Sequence, residues 1–357
     1  MDSVTTTEAV RLPGLETPDV RPELQPEHWI ERAPHKRLMV FSGRSHPQLA
    51  SDIAEKLGVQ LGDVTLKTFA NGETYCRYEE SIRGADLFLV QTGSIPVNRN
   101  LIELLIMINA AKLASAKRIT AVIPWFPYSR QDKKSAPREP ITAKLVADML
   151  QAAGADRVLT MDLHAGQVQG FFTIPVDHMT ALPLFVQYFR DKGLHGEDVV
   201  AVAPDPGRSK MAAKFGQMLD ADWAVLNKQR PAHDQVAVSE VIGRVRGKVA
   251  IMSDDIWSTG GTLIVGAAAL KEAGATAVYA CATHGLFAGG TAIEAFEKLV
   301  ESELEEVAVT DTVPVDPIQK PDNVQVIPVS GLLAETIANV FSDDSVSAIF
   351  AGENQLF

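Results

Sequence analysis

Two neighbouring carboxylates, Asp254 and Asp255, end the apolar, β-branched run "KVAIMS", and a Ser-Thr-Gly-Gly-Thr turn, Ser258 to Thr262, follows them closely. An Ala-rich helical pattern begins directly after that turn. Glycines at Gly260 and Gly261 let the backbone approach a ligand. The N–H groups of a turn opening a helix converge on an anion, helped by the helix dipole and by the hydroxyls of Ser258, Thr259 and Thr262. Paired acids accept hydrogen bonds from sugar hydroxyls, directly or through the water of a divalent cation. A sugar phosphate meets both demands in one molecule. The plainer alternative is a solvated turn whose acids cap a helix.

Other residues extend the chemistry. "FANGE", Phe69 to Glu73, contains Asn71-Gly72, a strong hairpin signal. The run from Pro124, "PWFPYSRQDKKSAPREP", carries Arg130, Lys133, Lys134 and Arg138, a local basic island able to hold a polyphosphate, with Arg130 suited to bidentate contact. A charged loop that is merely solvated is the alternative. Several strand-like runs end in an acid or histidine: Asp162 and His164, Asp205, Asp254 and Asp255, His284. In open α/β sheets ligands bind beyond the carboxyl ends of strands, so these termini are expected at one crevice. No G-x-x-x-x-G-K-[ST] run occurs, so a nucleotide is not held by a P-loop.

The elements that must position these residues follow one grammar. "RLMVFSG", "DLFLVQT", "RITAVIPWF", "RVLTMDL", "DVVAVAPD", "DWAVLNK", "KVAIMSDD" and "AVYACATHG" read as strands, alternating with helices such as "HPQLASDIAEKLG" and "TLIVGAAALKEAG". Continuously apolar strands between helices indicate largely parallel sheets covered on both faces. The 357 residues suit two α/β domains, expected over 35–155 and 156–330, with the last helix and a final strand, "SVSAIF", packing back on the first. Residues 1–34, rich in Pro, Thr and acid, read as a poorly ordered extension without secretory character. A net charge of −12 disfavours nucleic acid and anionic membrane as partners, and no run is apolar enough to span a bilayer. Two cysteines, Cys76 and Cys281, point to a reducing compartment and a cytoplasmic protein.

The loop around Asp254 resembles the ribose-phosphate loop of phosphoribosyltransferases and of the ribose-phosphate diphosphokinases, the phosphoribosyl pyrophosphate synthetases. Four further stretches, "FANGE", "PWFPYSRQDKKSAPREPITAKL", "MDLHAGQVQGFF" and "LNKQRPAHDQ", are similar to the diphosphokinase family in the same order. The resemblance runs from about Lys36 to Phe350. It implies two phosphoribosyltransferase-like α/β domains, each a mostly parallel sheet flanked by helices. It also implies transfer of the diphosphoryl group of ATP to ribose 5-phosphate, with a product used in nucleotide, histidine and tryptophan biosynthesis. Carried over by motif, Phe69, Asn71, Gly72, Glu73, Arg130, Gln131, Asp132 and His164 would bind ATP, and His164 with Asp205 would hold Mg2+. Asp254, Asp255, Ser258, Thr259, Gly260, Gly261, Thr262 and Arg230 would bind ribose 5-phosphate. Lys228 and Arg230 would be catalytic, neutralising charge on the transferred group. A homo-oligomer, a hexamer, is implied as well. The sequence departs from the family's usual wording at Trp257, at Ser258, where a third acid is common, and over Pro206 to Lys210. The rival readings are a phosphoribosyltransferase that consumes phosphoribosyl diphosphate, and a catalytically silent regulatory subunit.

Overall fold

In the computed structural model, residues 36–232, 235–258, 260–287 and 292–350 are described, without the side chains of 228–239, 292, 293, 348 and 350. The expected extension over residues 1–34 therefore lies outside the described residues. The first elements are β1 (Leu38–Ser42), α1 (Pro47–Lys56), the hairpin β2 (Val64–Thr68) and β3 (Thr74–Tyr78), β4 (Asp86–Val90) and α2 (Val97–Leu113). Next come β5 (Arg118–Ile123), α3 (Thr142–Ala153), β6 (Arg157–Met161), β7 (Val176–Met179) and α4 (Leu182–Asp191). Then follow β8 (Val199–Ala203), α5 (Ser209–Met218), β9 (Asp222–Ala232), β10 (Gln235–Ile242), β11 (Val249–Trp257) and α6 (Gly261–Glu272). The chain continues through β12 (Ala277–Gly285), α7 (Ala292–Val300), β13 (Glu306–Thr310), β14 (Val324–Ile327) and α8 (Ser330–Ser342).

β1-β4-β5-β6-β7 form a five-stranded sheet whose pairings are all parallel. The order β10-β9-β8-β11-β12-β13-β14 forms a seven-stranded sheet, parallel except where β10 runs against β9. The apolar, β-branched runs account for this: every residue of β4 and of β8 is buried, as strands covered on both faces must be. Asn71-Gly72 turns the β2–β3 hairpin as the sequence indicates, with Gly72 at φ 92.

One apolar cluster draws on both sheets: Val122 and Met161 from the first, Ile251 and Ala308 from the second. Phe185 and Phe189 of α4, Phe215 of α5 and Leu333 and Ile337 of α8 complete it. Each of the larger side chains among them contributes about 1.5–3 kcal/mol, which fixes the sheets against each other and hence the ends of their strands. α8 lies on α1, where Leu49 and Ile53 belong to the same cluster. The stretch expected as a final strand is instead a 3₁₀ helix, Val346–Phe350. Val346 and Ile349 pack on the core three residues apart, a spacing that brings them to one side of a helical turn and to opposite faces of a strand. Among the described residues no helix is long and apolar enough to cross a membrane.

Candidate active site

Part of the set singled out in the sequence meets at a cleft of about 620 Å³ at the carboxyl ends of β6, β8 and β11. Arg130, His164, Asp205 and Arg208 line one part of it; Asp254, Asp255, Ser258 and the start of α6 line the rest. Asp254 and Asp255 do not end their strand as the sequence suggests. β11 keeps its register with β12 through Asp254↔Ala282, Ile256↔His284 and Trp257↔Gly285, so the acids are held by a ladder. Gly260 then caps α6 at φ 76, a left-handed conformation that favours glycine, and opens the helix N-terminus onto the cleft. Gly261, Thr262 and Ser258 border the same space, whereas Thr259 lies outside the described residues.

The acids are wired to two partners that are distant in sequence. The Asp255 carboxylate is 2.7 Å from His164 Nδ1 and 2.5 Å from the Arg208 guanidinium. The same guanidinium reaches Asp254 at 3.6 Å, and the Asp255 N–H donates to Asp254 at 2.8 Å. Burial pushes both carboxyls up. For Asp254 the charge of Asp255 adds to burial, and its pKa stands well above the ordinary range despite Arg208. For Asp255 the His164 hydrogen bond and the Arg208 charge outweigh burial and hold the carboxyl below the ordinary range. One acid is therefore readily protonated and the other stays anionic, a division of roles made by environment.

His164 Nδ1 lies 2.7 Å from the Asp255 carboxylate and 3.1 Å from Arg208 Nη2. In the tautomer that donates Nδ1–H to the carboxylate, Nε2 keeps its lone pair, the arrangement that carboxylate–histidine pairs give to a metal-binding imidazole. Asp205, in the same part of the cleft, uses one oxygen to accept the Gly207 N–H at 2.9 Å, capping a 3₁₀ turn, Pro206–Arg208. Among the described residues no group of three or more His, Cys, Asp or Glu is arranged to enclose a metal. His164 and Asp205 border the same cleft and could offer one nitrogen and one oxygen to a divalent ion whose other ligands are phosphate and water oxygens.

Behind the cleft, Asp162 is held at φ 31, two residues before His164. Its carboxylate accepts from Thr283 Oγ1 at 2.6 Å and from the Ala181 N–H at 2.8 Å. His284 Nε2 lies 3.1 Å and 3.2 Å from the carbonyls of Met161 and Asp162. Burial lowers the pKa of His284, which therefore works as a neutral donor bracing the turn that carries His164. The expectation that His284 faces the crevice is thus corrected: it is fully buried between the sheets, beside Trp125. Asp162 lines a smaller adjoining cavity of about 310 Å³, with Arg208 and Lys210.

The expected nucleotide residues divide. Arg130 borders the cleft and also a second cavity of about 620 Å³, where Gln131 joins Trp125, Tyr128 and Arg99. Asp132 is buried and accepts from Gln167 Nε2 at 2.6 Å. Lys133, Lys134 and Arg138 are exposed and line neither cavity. Phe69 is 53% exposed on the hairpin, packed edge-on against Tyr75, and the hairpin likewise lines neither cavity. Lys228 and Arg230 sit on β9, next to irregular register with β10; their side chains lie outside the described residues. The sequence reading missed the contacts of Arg208, whose retained basic charge was the available signal, the role of Thr283, which gave none, and the bracing role of His284, which its place at a strand end signalled only as a crevice residue.

Comparison with known proteins gives the family. Residues 38–154 match the family model described as the N-terminal domain of ribose phosphate pyrophosphokinase, and residues 224–351 match the phosphoribosyl synthetase-associated domain. The chain is 50% identical over 313 residues to the ribose-phosphate pyrophosphokinase of Caldanaerobacter subterraneus subsp. tengcongensis, covering 88% of this chain and 98% of that protein. It is 48% identical over 315 residues to the chloroplastic ribose-phosphate pyrophosphokinase 2 of Arabidopsis thaliana, covering 88% of this chain and 78% of that protein. Its structure is similar to the crystal structure of phosphoribosylpyrophosphate synthetase from Mycobacterium smegmatis, with a TM-score of 0.79 and 43% identity, covering 86% of this chain and all of that one.

Proposed function

Because the chain belongs to the ribose-phosphate pyrophosphokinase family, we propose that it transfers the β,γ-diphosphoryl group of ATP to the C1 hydroxyl of ribose 5-phosphate, giving 5-phosphoribosyl 1-diphosphate and AMP. The observation that carries the site assignment is the meeting of an acid pair, a left-handed glycine turn and an oriented histidine in one cleft. Ser258 to Thr262 take the 5-phosphate at the start of α6. Asp254 and Asp255 hold the ribose hydroxyls, which sets the C1 oxygen in line with the β-phosphorus; positioning of this kind supplies most of the acceleration in phosphoryl transfer. Lys228 and Arg230 neutralise the charge that spreads over the transferred group. Mg2+, held by His164 and Asp205, supplies further charge neutralisation on the phosphates of ATP.

Arg130, Gln131 and Asp132 hold the nucleotide from one side, and Phe69, Asn71, Gly72 and Glu73 from another. The exposed Phe69 ring, which lines neither of these two cavities, fits a site completed by a second copy. The proposed assembly is a homo-oligomer, a hexamer, and the proposed location the cytoplasm. Neither rival reading is favoured by relatives of this similarity. The test is AMP formation from ATP, Mg2+ and ribose 5-phosphate by wild type and by Lys228→Ala. A rate lowered at least a hundredfold in a mutant that still binds ribose 5-phosphate supports the assignment; an unchanged rate removes Lys228 from it.

A further inference from the structure

The turn that delivers His164 begins where β6 leaves its sheet. The ladder between β6 and β7 ends at Met161↔Met179, and the Asp162 N–H still reaches the Met179 carbonyl at 2.9 Å. Asp162 then adopts φ 31, a strained conformation for a residue with a side chain, which persists only where the surroundings over-determine it. The next residue, Leu163, is buried, and a buried N–H needs an acceptor. Its partner is a side chain: the Leu163 N–H donates to Nε2 of His178 at 2.8 Å. His178 is itself buried and stands on β7, in register with Thr160, so this acceptor belongs to the first sheet. Thr283 and His284 hold the same turn from β12 of the second sheet. The turn is therefore gripped from both sheets, and His178 grips the residue directly before His164.

A backbone N–H only donates, so Nε2 of His178 is the unprotonated nitrogen and the ring proton belongs on Nδ1, 3.2 Å from the Gln169 side-chain amide. Burial pushes the His178 pKa down to about 4 against the opposing charge of Asp162, which keeps the ring neutral and accepting at neutral pH. His178 does not border the cleft, so it acts only through the turn.

We propose that His178 is a positioning residue for the reaction: by accepting the Leu163 N–H it holds the turn that aims the His164 ring into the cleft, and so sets the affinity for the divalent ion without touching it. This rests on the reading of His164 as a ligand of that ion. Losing the acceptor strands a buried N–H beside a strained residue, and the turn relaxes; metal affinity should fall about tenfold.

The test pairs His178→Leu, which removes the acceptor, with His178→Gln, whose amide oxygen can stand about where Nε2 stood. In His178→Leu the Mg2+ concentration giving half-maximal rate should rise about tenfold while KM for ribose 5-phosphate stays unchanged. Hydrogen exchange of the Leu163 amide in the ligand-free protein should quicken about tenfold or more. His178→Gln should bring both readings back towards wild type. A folded His178→Leu protein with unchanged Mg2+ dependence overturns the proposal, and so does a His178→Gln protein as impaired as His178→Leu. Should neither variant fold, nitrogen NMR of wild-type histidines at pH 7.5 decides: a bare Nε2 and a protonated Nδ1 on His178 support the proposal, and a proton on Nε2 overturns it. If wild type forms no AMP while Leu163 exchange quickens in His178→Leu and recovers in His178→Gln, the diphosphokinase reading fails and the positioning role of His178 stands.

Discussion

Replacing Arg208 by glutamine removes the guanidinium that lies 2.5 Å from Asp255 and 3.6 Å from Asp254. The side chains of Arg208 and Asp255 are 14% and 5% exposed, so solvent screens this pairing little. Breaking such a buried pair costs about 3–5 kcal/mol at a pH where the stranded acid stays ionised. Uptake of a proton relieves part of that, leaving about 3 kcal/mol. A chain of this length shifts by about 2 °C for each kcal/mol, so the ligand-free Tm at pH 8 should fall by about 6 °C. The pH dependence gives the sharper check. In wild type the depressed Asp255 carboxyl contributes stability that is present above the unfolded value, about 3.9, and is lost only as pH falls through its lower folded value. Without Arg208 one cause that holds the carboxyl down is lost while burial and the His164 contact remain, so its folded value rises and the variant's deficit should be greatest in alkali and shrink as pH falls. Scanning calorimetry of both proteins at pH 8 and pH 5.5 reads this directly. An equal Tm at pH 8, or a gap that widens in acid, would refute the electrostatic account of the acid pair.

Asp254→Asn should act in the opposite sense. The carboxyl is raised in the fold, so its ionisation weakens the protein above the unfolded value; the variant should be more stable than wild type by a margin that grows as pH rises through the folded value, while KM for ribose 5-phosphate rises. Asp255→Asn releases the Nδ1 tautomer of His164, and the Mg2+ concentration giving half-maximal rate should rise about tenfold or more. Thr283→Val withdraws a buried donor from Asp162 and should cost about 1–3 kcal/mol in thermal unfolding, with Thr283→Ser restoring it. Phe69→Ala should leave Tm unchanged, since the ring is mostly exposed, and raise KM for ATP about tenfold if the ring stacks on the base.

The parallel sheets were legible because β8, Leu87–Val90 of β4 and Val249–Met252 of β11 are apolar runs, and burial on both faces leaves few other homes for such sequences. β14 escaped notice because "VQVI" is too short to show a period, and β10 because its mixed polar composition signals nothing by itself. "SVSAIF" misled in the opposite way: its β-branched content suggested a strand, while the three-residue spacing of Val346 and Ile349 served a helical turn. At the site, contiguous signals such as Asp254-Asp255 followed by Ser258 to Thr262 could be read directly. The ties between His164, Asp255 and Arg208 could not, since 91 and 44 residues separate His164 from its two partners and only the sheet ends bring them together. The hydrogen bonds that brace Asp162 from β12 are equally silent in sequence, because a Thr-His pair at a strand end carries no periodic or motif signal.

The central claim is tested most directly by following the wild-type protein with ATP, Mg2+ and ribose 5-phosphate by phosphorus NMR. The account predicts that ATP is consumed one-for-one with AMP formation, and that a new diphosphate appears, its α-phosphorus coupled to the proton on C1 of the ribose. ADP in place of AMP, or no turnover by folded protein that still binds ribose 5-phosphate, would contradict it.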